Sequence, residues 1–124
     1  MVKLNFFHAC ESAFLLKNNT PAIIGIFSVI QMEKLPFKHS GFSLITNFTT
    51  DDSKAHKINI LLESPSKKKI FSTENNIQTQ KDESVGFLIK TENLHFEEFG
   101  KYKFIISADG KKIAEEFIDI EKRN

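Results

Sequence analysis

Apolar and polar residues alternate with a period of two along most of the chain. No long segment keeps the three-to-four spacing of a helix. A period of two marks a strand with one face in a core and the other in water. "FSLITNFT" (42–49) sets Phe42, Leu44, Thr46 and Phe48 on one side. "HKINILLE" (56–63) does the same with Ile58, Ile60 and Leu62. "VKLNFFHAC" (2–10) and "SVGFLIKT" (84–91) also read as strands, and "SAFLLK" (12–17) continues the first of them or pairs with it. "AIIGIFSVI" (22–30) is apolar on both faces, which predicts a central buried strand. Gly25 within it predicts a bulge or a close backbone approach. Turns fall at 18–21, 50–55 and 64–69, a loop surrounds Pro36 at 33–41, and a corner is expected at 92–99. The segment 70–83 starts as a short strand and ends as the most polar part of the chain.

The most legible stretch is "FGKYKFIISADGKK" (99–112). Gly100 permits a tight chain entry. Tyr102, Phe104 and Ile106 then alternate with Lys101, Lys103 and Ser107. Asp109-Gly110 signals a two-residue hairpin, because a type I′ turn needs positive φ at both central positions. That turn pairs Lys103 with Glu116 and Ile106 with Ile113, and sets Phe104 awkwardly against Glu115. Ile118 and Ile120 continue on the other parity, so a bulge is expected between Ile113 and Phe117.

Short strands with turns every 8 to 12 residues predict an all-β fold: an immunoglobulin-like antiparallel β-sandwich of about 7–9 strands, in one domain over 1–124. "LHFEEFGKY" supports this, because a late Gly followed by Tyr102 resembles a tyrosine corner, whose phenol bonds the upstream backbone. Phe104 stands where an antibody-type domain has its second Cys. The chain has 13 Phe, one Tyr and no Trp, so its aromatic core is built from Phe.

The order of these pieces resembles a bacterial family of small proteins known only as a domain of unknown function. The matching positions are Ile23, Gly25, Phe27, Pro36, His39, Gly100, Tyr102, Phe104, Ile106, Asp109 and Gly110. The polar segment at 72–83 and the lysine turn at 67–69 depart from it. The resemblance implies a stand-alone β-sandwich and carries no activity to transfer.

Charge and composition narrow the function classes. The balance is ordinary for a globular protein, at 40% hydrophobic and 27% charged residues, with a net charge of +1. No long-range field draws the chain to nucleic acid or an acidic membrane. The only cysteine, Cys10, excludes an intrachain disulfide, which fits a cytoplasmic location. The N-terminal apolar run is broken by Asn5, His8 and Glu11, too early for a signal segment. No stretch approaches a membrane span.

Candidate chemistry is sparse. His8, His39, His56 and His95 are widely spaced and form no close metal-binding pair. His8 and Cys10 share one side of a strand, so with a distant His they would make a metal or nucleophile site; a buried thiol beside a solvent-tipped His has the same sequence. Asp51-Asp52-Ser53 fits a calcium loop and equally a solvated turn. Glu97-Glu98 is a second acidic pair. Lys67, Lys68 and Lys69 fit a nucleic-acid contact and equally a solubilising hairpin. No phosphate loop or serine elbow is present. "NNT" (18–20) and "NFT" (47–49) match a glycosylation pattern that needs a secretory route.

One feature exceeds the needs of a single core. Segments 4–9 and 22–30 are apolar on both faces, whereas a two-layer sandwich covers one face of each sheet. Either loops fold over the second face, or Phe7, Ile24, Ile26 and Ile30 meet a partner. The expectation is a non-enzymatic module that binds a protein or itself, with no cofactor, metal, nucleic acid or membrane. The alternative is a metal-dependent or cysteine-based site near Cys10 and the histidines.

Overall fold

The structure is a computed structural model and describes residues 1–18 and 20–123. Asn19, in the predicted turn at 18–21 and the first glycosylation match, and Asn124, the end of the expected domain, lie outside the described residues. Eleven strands are described: β1 (Val2–Leu15), β2 (Pro21–Ile26), β3 (Val29–Met32), β4 (Phe37–His39), β5 (Ser43–Thr50), β6 (His56–Glu63), β7 (Lys69–Ile77), β8 (Ser84–Lys90), β9 (Leu94–Phe96), β10 (Gly100–Ala108) and β11 (Lys111–Lys122). The count exceeds the expected 7–9 because β3, β4 and β9 are pieces of three or four residues inside expected loops, corners or longer strands. Among the described residues no helix is long and apolar enough to cross a membrane.

Two sheets form the sandwich. One has the order β2-β1-β5-β8, the other β3-β11-β10-β6-β7, and β4 and β9 make a two-stranded ribbon. Pairing is antiparallel throughout except between β11 and β3. The core holds the inward faces that period two predicts: Phe42, Leu44 and Phe48; Ile58, Ile60 and Leu62; Tyr102, Phe104 and Ile106. Ile118 and Ile120 of β11 join them.

Segment 22–30 corrects the sequence reading. It is not one central strand but two edge strands in different sheets, β2 and β3. Gly25 has φ +71, a left-handed conformation that L side chains rarely adopt, and a Cβ there would sit 2.9 Å from Glu11 Cγ. After this twist the chain leaves β1 at Ile26 and crosses to β11, where Asp119 N donates to Ser28 O at 2.8 Å. Its apolar residues therefore serve two layers in turn.

At the β10–β11 hairpin both central residues have positive φ, Asp109 at 51° and Gly110 at 83°. Ala108 faces Lys111 and Ser107 faces Lys112, but Ile106 faces Ala114 rather than Ile113. Ile113 is the extra residue, at the near end of the predicted range. The slip sets Lys103 opposite Phe117 and Phe104 opposite Glu116, and brings Ile118 and Ile120 to the core face.

Candidate interaction surface

β1 is the long strand of the first sheet, and its two faces do different work. Inward, Phe7 packs on Phe104 with ring centroids 5.0 Å apart. Phe7 is only 9% exposed, so it belongs to the core and not to an outer patch. Asn5 is the extra residue of a bulge between Leu4 and Phe6, and its amide bonds Asn47 and Thr49. Outward, a second apolar cluster gathers Cys10, Ala13 and Ile45, with Phe6, Ile23 and Leu88 packed against it. Leu15 and Pro21, where the β1–β2 hairpin begins and ends its turn, border this face. Part of this second face is packed within the chain and part is open.

The open part is a groove of about 450 Å³. Phe6 and Ile45 line it with Leu15 and Pro21 of the hairpin on one side and Ser84–Leu88 of β8 on the other. Gly86 lies in the middle of β8 and contributes backbone to the groove lining. A Cβ on Gly86 would come 2.5 Å from Thr46 O, so the position has no room for a larger residue.

Among the described residues β8 is the last strand of its sheet and pairs on one side only, with β5. Thr91 N donates to Phe42 O at 2.9 Å, which fixes the phase of the ladder. Bonded and non-bonded pairs alternate in an antiparallel ladder, so Val85, Phe87 and Ile89 turn their backbone groups to β5. Ser84, Gly86, Leu88 and Lys90 then aim theirs away from the sheet. Between Ser84 and Ile89 there is no charge, no Pro and no bulge.

Of the four residues expected to form a patch, Ile24 and Ile26 are 55% and 59% exposed on β2. Ile30 is half-buried against the main core, on β3 in the other sheet. The patch is therefore not one surface. Sequence reasoning missed the β8 edge and its groove. A glycine inside an otherwise apolar strand, "SVGFLIK", was the available signal.

The candidate chemical groups are dispersed. Cys10 is buried, and its thiol donates to Ser43 O at 3.6 Å. Burial pushes its pKa up, away from the thiolate that nucleophilic or metal chemistry needs. His8 stacks on Phe6 nearby. His39 sits in the β4–β9 ribbon, its Nδ1 accepting from Gly41 N at 2.9 Å, with its pKa lowered by burial. His95 lies on β9. Asp51 meets the N-terminal ammonium of Met1, and Lys68 pairs with Glu97 at 3.4 Å. Lys67 has φ 68 in the turn before β7, so the lysine run is a formed turn. Among the described residues no group of three or more His, Cys, Asp or Glu is placed to hold a metal ion.

One polar constellation was not foreseen. His56 Nδ1 lies 2.6 Å from Asp109 Oδ2, and Nε2 lies 2.8 Å from Asp52 Oδ1. Lys57 N donates to Asp109 Oδ1 at 2.9 Å. The hydrogen bonds that the ring donates to Asp109, and then to Asp52, raise the imidazole pKa. The same bonds lower both carboxylates. Both ring nitrogens are occupied, so the group acts as a clamp between the β5–β6 connection and the hairpin turn.

At the corner, Tyr102 is fully buried, and its hydroxyl donates to Glu98 O at 2.8 Å. Phe96 meets its ring edge-on at 5.2 Å. Two facing sheets closed by this corner define an immunoglobulin-like β-sandwich. The chain belongs to the family of unknown function DUF6941, whose model matches residues 5–121. No curated protein is found to match it. Among solved structures, a β-glucosidase from Listeria innocua in complex with isofagomine aligns at 8% identity and a TM-score of 0.56. The alignment covers 98% of this chain but only 16% of the enzyme, so the likeness is one of fold. An immunoglobulin-like protein from Pseudomonas aeruginosa aligns at 13% identity and a TM-score of 0.41, over 97% of this chain and 96% of its own.

Proposed function

We propose that the protein is a non-enzymatic protein-binding module that takes an extended segment along β8. The observation that carries this reading is the unpaired edge from Ser84 to Lys90 lying beside an apolar groove. Strand addition uses such an edge: backbone hydrogen bonds supply affinity, and alternate side chains enter pockets and supply specificity. Here every second side chain of the added strand stands over the outer face, beside Gly86, Leu88 and Ile45. One buried thiol and a near-neutral charge suit a cytoplasmic role with a protein partner rather than a nucleic acid or a membrane.

The test is selection from a display library of random peptides on the purified protein, repeated on Leu88→Lys and Ser84→Pro. The first variant puts a charge at the groove, and the second removes an outward N–H without touching the groove's apolar floor. Extended apolar peptides that lose binding to both variants support the reading. Selection of no peptide, or binding indifferent to both variants, overturns it.

A further inference from the structure

We infer that the strand added to β8 is β8 of a second copy of this chain, antiparallel, with the two-fold axis through Phe87. The inference rests on the strand-addition reading and names its partner.

The other free edges are guarded by charge, Pro, twist or short length, whereas β8 carries a charge only at its last residue, Lys90. β2 begins at Pro21 and is twisted at Gly25. β3 has four residues. β7 carries exposed Lys69 and Glu74. The part of β11 that β3 leaves free, Lys111–Ile118, holds Lys111, Lys112, Glu115 and Glu116. Glu116 lies opposite buried Phe104, so it is a charge on the inward side of that edge. Charges, Pro, twist and short length are the devices that keep edges from pairing. An edge whose interior lacks them is the place where a second chain adds.

The sequence of β8 complements itself in one register. With Phe87 at the axis, Gly86 of one copy faces Leu88 of the other, and Ser84 faces Lys90. These four residues are the ones whose backbone groups point outward, so each facing pair exchanges both hydrogen bonds. Gly86 and Leu88 share the outer face. The Leu88 side chain of one copy therefore stands beside Gly86 of the other, where no side chain competes for the space over the outer face. Lys90 of each copy, opposite Ser84, lies within two residues of the partner's Glu83 and Asp82, while Glu92, beyond the strand, falls level with Asp82. A shift by two residues loses the Gly86–Leu88 match either way: it sets Gly86 against Gly86, or Leu88 against Leu88 with both Lys90 residues against Gly86. The product is one continuous eight-stranded sheet, and the pairing closes at two copies because each β8 is then covered.

The experiment is sedimentation equilibrium of the full chain from about 1 µM to about 1 mM, the range in which a modest strand-edge contact is read. It is paired with oxidative cross-linking of Ser84→Cys/Lys90→Cys. A reversible dimer is expected. Its dissociation constant should rise about tenfold or more in Leu88→Lys, which puts a charge in an apolar contact. The double-cysteine chain should form a covalent dimer while either single variant does not, because residue 84 meets residue 90 only across the axis. The cross-link needs no destabilising change in the groove, so it stands even if Leu88→Lys folds poorly. A chain that stays monomeric throughout overturns the second-copy inference. So does a dimer that neither responds to Leu88→Lys nor cross-links. In either case, peptides selected along β8 would show that strand addition stands with a foreign partner. Their absence would bring down both readings.

Discussion

Tyr102 illustrates how much one side chain fixes. Its ring is fully buried against Phe96, and its hydroxyl satisfies Glu98 O, a carbonyl on the chain entering β10. Tyr102→Phe keeps the ring and leaves that carbonyl without its donor. The expected loss is about 1 kcal/mol, the net worth of a single hydrogen bond, seen as a fall of about 3–5 °C in melting temperature. Gly110 gives a second measure. A Cβ there meets nothing within 4 Å, so Gly110→Ala tests only the backbone at φ +83. About 1 kcal/mol of destabilisation is expected from forcing an L residue left-handed. Thermal melts of both variants check the two values. Both residues were legible in the sequence, because each acts through its own local geometry. His56 was not: its carboxylates come from residue 52 and residue 109, and only the fold brings them together.

At the scale of elements, period two located β5, β6, β8 and β10 closely, because each has one face in the core. It failed for 22–30. A strand buried on both faces and two successive edge strands in different sheets have the same apolar sequence, and only the left-handed Gly25 separates them. The outer groove was hidden for a related reason. Phe6 and Leu15 come from the two ends of β1, Ile45 from β5 and Gly86 from β8, and no local pattern announces that they share a surface. The free half of β11 yields a prediction at this scale. Glu116 stands on the core side of an unpaired edge, where a charge is costly within the sandwich but deters a foreign strand. Glu116→Val should leave the fold intact by circular dichroism and speed aggregation at raised temperature, followed by light scattering. Unchanged aggregation would show that some other feature guards this edge.

For the whole molecule, the clamp on His56 couples the two sheets to pH. Asp52 lies on the connection from β5 in one sheet to β6 in the other, and Asp109 lies in the hairpin turn. The imidazole pKa is raised by its two hydrogen bonds, so its contribution is full below the ordinary value of 6.5 and fades as pH climbs through the folded value. The carboxylate pKa values are lowered, so their contribution is full above the ordinary value of 3.8 and fades as pH falls through the folded values. The clamp therefore contributes most between 3.8 and 6.5. His56→Gln cannot carry the charge. The difference in melting temperature between the native chain and this variant should be widest inside that window and narrow on both sides. Asp51 and Glu115 also have lowered pKa values, held by the N-terminal ammonium and by Lys112, but they titrate in both proteins and cancel in the difference. Melts at closely spaced pH values check the shape. A difference that stayed constant across the range would mean that His56 contributes packing alone and that its carboxylate partners hold no charged imidazole.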